Sequence, residues 1–550
     1  MADEIRPGLS QRSIYWLVAG LVFMAGCFLR LFRVGDQILL DDEWHALNVV
    51  QDHDYGWIFS HLGHADHSIP MALLYEFFSH SIGLSELSMR APSLLAGMAA
   101  IVALPFIFRR WLTPVESLVM AALIALSPFL INFSRIARPY TLLALLAACA
   151  VIFAWQWWYA REEPAKSRLT GLAWGMCTVL AAWLNPVSLA VSTAPFLWFG
   201  FSALASFRSS GSIRPLIRLI ALGLGISAVL VLLLYSPLTA DLSSLAVKSG
   251  VHRVQLETFA ELAALYAGSG HVLVIALMAS ATVFGWFVLR QRDQAFADYL
   301  LLITTASTLA VALTGAEWIF QGLVLARYLI GLLPLLLALT AIGLLGICQA
   351  LANRMSLAES TAYSAVAVLL LLLFFSGPLP QLYGHRSQFM HHLSNQFDFD
   401  ADRNPFRAVL QPVSPEPFYR EIAQRHPQGD AVVVEAPWYL ESHWNPLPLF
   451  QAAHQQEVLV GFVGGTCANR LYGELRQDID GLEFRHFVTL RQVLDGETNA
   501  RYLVLRKNRM EDARQIDMDF ARCEAAARSA LGEPWRETES ALVFMLPADS

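Results

Sequence analysis

SIYWLVAGLVFMAGCFLRLF, Ser13 to Phe32, is an almost unbroken apolar stretch with Arg30 near its end. As a helix, about 20 residues rise about 30 Å, the thickness of a bilayer's hydrocarbon core. Arg6 and Arg12 precede it, as they would a signal peptide. The stretch is too long for a signal core, however, and Arg30-Leu-Phe-Arg33 follows rather than a small-residue cleavage site. It is therefore expected to be a retained membrane helix. Ten more apolar segments follow: 90–110, 115–133, 139–158, 169–186, 187–206, 219–236, 271–290, 298–316, 328–350 and 357–377. The split at 186/187 rests on Asn185-Pro186. Composition agrees. The 550 residues are 56% hydrophobic and 15% charged, with a mean hydropathy of +0.47, against about 25% charged in soluble domains.

The loops fix an orientation. With the N-terminus inside, the inner loops carry Arg109-Arg110, then Arg161/Lys166/Arg168, Arg208/Arg214/Arg218, Arg290/Arg292 and Arg354. Each is basic, as the positive-inside rule requires. The reading is a polytopic α-helical membrane protein of about 11 spans with a C-terminal soluble α/β domain. The membrane domain covers 1–380, with a first outer loop at 33–89 and a second at 237–270. The domain at 381–550 lies outside the cytoplasm. Ile69 to Ile82, with Glu76 and His80 inside it, is expected to lie in the interface rather than span. The net charge is −7, and no basic stripe with interleaved aromatics is present, so nucleic acid is excluded as a partner.

From Tyr383 the composition becomes ordinary. Strand-like runs at Ala431–Val434, Val458–Phe462, Tyr502–Leu505 and Leu542–Leu546 sit between helix-like stretches at Phe418–Arg425 and Met510–Arg528. That alternation predicts a small α/β domain. The glycines of Gly461-Phe-Val-Gly464-Gly465 lack dinucleotide spacing and read as a loop. Cys27, Cys149, Cys177 and Cys348 fall in apolar spans as small hydrophobes. Cys467 and Cys523, in the tail, are free to pair if it lies in an oxidising compartment.

Two sets of charges remain. Leu39-Leu40-Asp41-Asp42-Glu43-Trp44-His45 follows the first span. Asp41 or Asp42 is suited to cap a helix running to about Gln51, with Glu43 in its first turn and His45 one turn on. Opposite in sign are Arg90, Arg138 and Arg327, on the outer side, where the sorting rule does not call for arginine. Each precedes or begins a span, and Pro92 and Pro139 mark helix starts. A helix N-terminus attracts anions, and a guanidinium grips phosphate bidentately. Arg135, Lys248, His252 and Arg253 are placed to close over such a ligand. The competing reading is that these arginines snorkel to lipid headgroups or pair with the acidic cluster. His61, His64, Asp66 and His67 have metal-binding side chains but no compact zinc spacing. Asp66 and His67 are placed near the site; a divalent metal stays open and no cofactor is certain.

Several motifs, in order, resemble those of GT-C membrane glycosyltransferases. The similarity is greatest to the group holding protein O-mannosyltransferases and the bacterial lipid A aminoarabinose transferase. They are Leu40-Asp-Asp42-Glu43, Asp66-His67-Ser-Ile-Pro70, Ser85-Glu86-Leu-Ser-Met-Arg90-Ala-Pro92-Ser93, Ser127 to Tyr140 with Arg135 and Arg138, and Ala326-Arg327-Tyr328 to Pro334. They lie within about the first 350 residues. The resemblance implies Asp42 as catalytic aspartate, Glu43 as its acidic partner, and Tyr140 in the substrate's vicinity. It implies an inverting transfer from a polyprenyl-phosphate-linked sugar to a lipid, protein or polysaccharide acceptor, in a bacterial inner or plasma membrane. Two motifs depart: the usual His-Pro-Pro reads His67-Ser-Ile-Pro70, and Ile136-Ala137 stand where an acid usually precedes Arg138.

The residue types suit that chemistry. One carboxylate is enough to deprotonate an acceptor hydroxyl, worth about 10²–10⁴-fold. The leaving phosphate needs cations rather than an acid. A transporter or flippase would call for mid-span charges and a repeat with broken helices, and neither is evident. A non-catalytic glycan-assembly scaffold is the third reading.

Overall fold

The computed structural model describes residues 9–32, 34, 43–62, 68–160, 163–235, 241, 250–316, 318–377, 379, 415–437, 447–468, 487–507 and 519–547. Asp41, Asp42, Asp66, His67 and Lys248 lie outside them. The chain divides into two compact units, an N-terminal helical one and a C-terminal one.

The helical unit begins with α1 (Leu9–Leu31), α2 (Glu43–Asp52), α3 (Tyr55–Ser60) and α4 (Ile69–Ser81). It continues with α5 (Glu86–Phe108), α6 (Pro114–Leu126), α7 (Pro128–Ser134), α8 (Tyr140–Tyr159) and α9 (Pro164–Leu184). Further helices run over Pro195–Ser210, Arg214–Leu230, Leu256–Ala267, Val272–Arg292, Gln294–Leu313, Gly322–Tyr328, Leu333–Arg354 and Glu359–Ser376. Among the described residues nine helices are long and apolar enough to cross a membrane, or ten if α6 and α7 count as one bent span. The chain is thus an integral membrane protein. The eleventh expected segment, 169–186, forms α9, which has the length to span. It is 21 residues long, but Lys166, Arg168 and a scatter of Ser, Thr and Gly leave it short of the others in apolarity. At 13 residues, α4 would rise only about 20 Å, too little to span.

The centre of this unit is α8 and Leu333–Arg354, whose side chains are mostly buried. The large apolar side chains of α1, Arg214–Leu230 and Glu359–Ser376 are mostly exposed, as surfaces solvated by lipid must be. One pair of helices approaches unusually closely. A Cβ on Gly285 would lie 2.8 Å from the Leu339 carbonyl carbon and 2.9 Å from the Gly343 nitrogen; one on Gly343 would lie 2.9 Å from the Gly285 nitrogen. With Ala281 this makes a small-xxx-small seam, the usual way two membrane helices bring their backbones together. The hydroxyls of Thr282 and Thr340 bond at 2.7 Å across it.

The α6–α7 pair bends by 57°. Pro128 has no N–H for the Ile124 carbonyl one turn back. The buried Arg30 of α1 supplies the donor, reaching Ile124 O at 3.1 Å and Ala125 O at 3.2 Å. In return, Arg135 Nη1, just past α7, donates to Arg30 O and Phe32 O, both at 2.8 Å, and so caps the end of α1. Each arginine satisfies carbonyls that the other's helix leaves open.

In the C-terminal unit the strands are β1 (Val432–Ala436), β2 (Glu457–Phe462), β3 (Phe487–Thr489), β4 (Tyr502–Arg506), β5 (Arg536–Glu537) and β6 (Ala541–Met545). Their order is β3-β2-β1-β4-β6-β5, parallel through β4 and antiparallel at β6 and β5. Val434 stands opposite Leu459 and Leu503. Val432, Val434 and Ala436 pack with Leu503 and Phe544 on one face; Val433 packs with Tyr502, Val504 and Val543 on the other. Burial on both faces explains why these strands read as continuous apolar runs. The four expected strands form within two residues of their expected bounds. Cys467 and Cys523, 56 residues apart, are disulfide-bonded and tie the turn after β2 to the helix Phe520–Leu531.

Candidate active site at a buried ion pair and two arginines on one tyrosine

Glu43 opens α2 and is fully buried. Its Oε1 accepts from Arg90 Nε at 2.9 Å and from the Ala137 backbone N–H at 2.7 Å, and its Oε2 accepts from Arg90 Nη2 at 2.8 Å. Arg90 Nη1 reaches the Val34 carbonyl at 3.2 Å. Both side chains are wholly excluded from solvent. A bidentate pair of this kind is stable only where every remaining donor finds a partner, and here it ties three separate segments together. The chain after α1, the start of α5 and the turn 135–139 meet at one carboxylate.

The sequence placed Arg90 with the phosphate-binding arginines; in the structure its guanidinium bonds Glu43 and the Val34 carbonyl. It does not begin a helix. Ser85 caps α5 five residues earlier, its hydroxyl accepting from Ser88 N at 3.1 Å, so Pro92 falls inside the helix rather than in its first turn. Arg135, expected beside Arg138, caps the end of α1 through Nη1. Arg138 directly precedes α8, as expected. Arg327 ends the short helix Gly322–Tyr328, where a cation suits the negative end, and the long span begins only at Leu333.

Arg138 and Arg327 nonetheless converge. Their guanidinium carbons lie 5.8 and 5.6 Å from the centroid of the same ring, that of Tyr140, and Arg327 lies 5.7 Å from that of Tyr328. Cation–π attraction holds each cation to the ring, and their mutual repulsion favours an anion beside them. The backbone behind them is braced: Ser93 Oγ donates to Arg138 O at 2.7 Å. Tyr75 of α4 donates to Met89 O at 2.8 Å. Burial and then the Glu43 charge push its phenol up, against Arg138 and Arg90, so it remains a neutral donor.

The helix Leu256–Ala267 positions Arg327, which the sequence did not reveal. Thr258 Oγ1 donates to Phe320 O at 2.7 Å, Glu261 Oε2 accepts from Gly322 N at 2.7 Å, and Tyr266 donates to Ala326 O at 3.1 Å. A Cβ on residue 322 would lie 2.6 Å from Glu261 Oε2, so glycine is required there. Arg327 also lines a narrow cleft with Leu143, Ala147, Asn185, Ser188, Val191 and Gly331, among others.

His45 is half-buried on α2 and Arg253 is exposed ahead of Leu256; neither is brought to Tyr140 by any contact described. His252 instead stacks on Trp318, accepting from its backbone N–H at 3.2 Å. His61 stacks on Trp57 and bonds Ser60. Among the described residues no three His, Cys, Asp or Glu side chains are grouped to hold a metal.

The fold, a helical unit followed by an α/β sheet unit, is similar to that of solved structures. The structure of ArnT from Cupriavidus metallidurans in the apo state matches with TM-score 0.56 at 12% identity, over 97% of both chains. The same enzyme bound to undecaprenyl phosphate matches with TM-score 0.52 at 14% identity, over 98% of both. The archaeal oligosaccharyltransferase AglB from Archaeoglobus fulgidus gives TM-score 0.42 at 13% identity, over 91% of this chain and 70% of that one. No protein-family model matches the chain, and no curated protein does.

Proposed function

We propose that the protein transfers a sugar from a polyprenyl-phosphate-linked donor to an acceptor hydroxyl at the outer face of the membrane. The carrying observation is the convergence of Arg138 and Arg327 on Tyr140, beside a turn that Glu43 ties to the acidic loop. The ArnT-like fold supports a transferase. The basic loops and the Cys467–Cys523 disulfide support placing the site and the C-terminal domain outside the cytoplasm.

In this reading Asp42, next to Glu43 in sequence, takes the proton from the acceptor hydroxyl. The acceptor oxygen bonds to the sugar's anomeric carbon as the bond to the phosphate oxygen breaks, and the electron pair leaves on the phosphate. Arg138 and Arg327 stabilise that growing charge, a role worth about 3–4 kcal/mol per well-placed donor in other enzymes. Glu43 and Arg90 do not react; they hold the acidic loop against the arginine turn. A lipid, protein or polysaccharide acceptor fits equally.

The test is donor binding. Purified protein in nanodiscs, titrated with undecaprenyl phosphate, should bind it at least tenfold more weakly after Arg138→Gln or Arg327→Gln, with folding intact. Wild-type affinity in both variants would refute the arginine pair as the phosphate site.

A further inference from the structure

Tyr266, near the end of the helix Leu256–Ala267, is connected to both arginines that rest on Tyr140. Its hydroxyl donates to Ala326 O at 3.1 Å. That carbonyl is among the last four of the helix Gly322–Tyr328, groups that a helix leaves without a partner of its own. It also belongs to the peptide that joins Ala326 to Arg327. The peptide is planar, so a bond to its oxygen restrains the direction in which Arg327 leaves the backbone.

The ring of Tyr266 leads to the same place by another route. It meets Phe129 edge to face, with centroids 5.7 Å apart and planes at 71°. Phe129 meets Phe133 at 4.8 Å and 68°, and Phe133 meets Tyr140 at 4.8 Å and 65°. Phe129, Phe133 and Tyr140 are all buried. Aromatic pairs prefer this tilt and spacing, so each ring restrains the next. The last contact spans the turn 135–139, which carries Arg138, and ends on the ring that both guanidinium groups share. From Tyr140 the contact with Arg327 leads back through Ala326 to the Tyr266 hydroxyl, and the circuit closes. Its starting point is fixed too. The helix ends at Gly268, φ 72°, where a Cβ would lie 2.7 Å from Pro128 Cδ, so the chain turns hard against the α6–α7 bend. Phenylalanine would serve the ring contacts as well as tyrosine does; the hydroxyl is what ties them to Arg327.

We propose that Tyr266 is a positioning residue that holds Arg138 and Arg327 in register around the donor phosphate. Its hydroxyl acts on Arg327 through Ala326, and its ring acts on Tyr140 through Phe129 and Phe133. The inference rests on the donor reading above, and the experiment separates the two. Full-length protein in phosphatidylcholine nanodiscs is titrated with undecaprenyl phosphate at about pH 8 and about pH 5, with native mass spectrometry as the readout. A phosphate monoester takes its second negative charge near pH 6, at about that value. Two cations held together favour the dianion, so wild type should bind more tightly at the higher pH. The ratio of the two affinities reports how both cations meet the phosphate. A loss of folded protein alone lowers apparent affinity at both pH values by the same factor and leaves the ratio unchanged.

Tyr266→Phe should weaken binding at the higher pH by about two- to tenfold, the range of one neutral hydrogen bond, and move the ratio toward that of Arg327→Gln. Phe133→Leu cuts the ring contacts, leaves the hydroxyl in place, and should act in the same way. The double variant should lose less than the product of the two single losses, because a circuit cut once is already open. If Arg138→Gln and Arg327→Gln weaken binding while Tyr266→Phe matches wild type, the positioning role is refuted and the donor reading stands. Weaker binding by Tyr266→Phe with an unchanged ratio would make the hydroxyl merely structural, which also overturns the proposal. Single losses that simply multiply in the double variant would show two independent props and no circuit. Wild-type binding by both arginine variants would refute the donor reading, and this inference with it.

Discussion

Replacing Glu43 separates anchoring from chemistry. In Glu43→Ala, Arg90 loses both carboxylate bonds at zero exposure, and stranding one member of a buried pair costs about 3–5 kcal/mol. The Ala137 N–H, bonded to the same carboxylate at 2.7 Å, is orphaned as well, for about 1–3 kcal/mol. Together, about 4–8 kcal/mol is a large share of the ~5–15 kcal/mol that holds typical domains folded. The expected outcome is a steep loss of monodisperse protein in detergent, measured by fluorescence-detected size exclusion. Glu43→Gln keeps an oxygen for Arg90 Nε and Ala137 N but sets an N–H₂ group against Arg90 Nη2, so it should fold with a lowered melting temperature. The double variant Glu43→Leu with Arg90→Met removes both charges. Such replacements are often neutral or stabilising, so it should recover most of the stability lost by Glu43→Ala. A Glu43→Gln protein with wild-type melting and abolished transfer would refute the anchoring role and put Glu43 in the reaction.

Two further outcomes follow from packing and titration. Gly285→Val or Gly343→Val should force apart Val272–Arg292 and Leu333–Arg354, since even a Cβ on Gly285 falls 2.8 Å from a backbone carbon; a loss of about 2–3 kcal/mol is expected, read as a lowered melting temperature, whereas the same change at Gly20, with open space around it, should be neutral. In the C-terminal unit, burial holds the His454 imidazole at about 4, below its usual 6.5. A depressed folded value means the unfolded chain binds the proton first, so this group's contribution is present above about pH 6.5 and is lost as pH falls toward 4, by up to about 3 kcal/mol. Glu435, raised by burial, contributes in the opposite sense, so the check is the difference between wild type and His454→Gln in thermal unfolding from pH 7.5 to 4.5. The variant should lose less stability on acidification; equal losses would contradict the assignment.

What the sequence disclosed and what it hid follow from range. Lipid-solvated helices must be apolar over about 20 residues, and sheet strands buried on both faces must be apolar throughout, so spans and strands were both readable. The helix from Glu43 was readable from its own first turn. Pairing of the outer arginines with the acidic cluster was legible only as an alternative; that Arg90, 47 residues on, is the one that pairs with Glu43 was not, because an arginine's neighbours in space leave no trace in its neighbours in sequence. Nor did the sequence show that Arg135 caps α1. Arg30 read only as a poor cleavage site, though it heals the break at Pro128. Glu261 was an unremarked acid until its bond to Gly322 N placed it behind Arg327. Asn185-Pro186 was legible as a boundary; that it faces a cleft was not.

The central claim, sugar transfer with Asp42 as base, is tested most directly by mass spectrometry of polyprenyl-phosphate-linked sugars and envelope glycans. The comparison is between cells lacking the protein and cells expressing wild type or Asp42→Asn at equal levels. The account predicts that the deletion and Asp42→Asn accumulate the same lipid-linked sugar and lack the same glycan. An Asp42→Asn profile indistinguishable from wild type would contradict it.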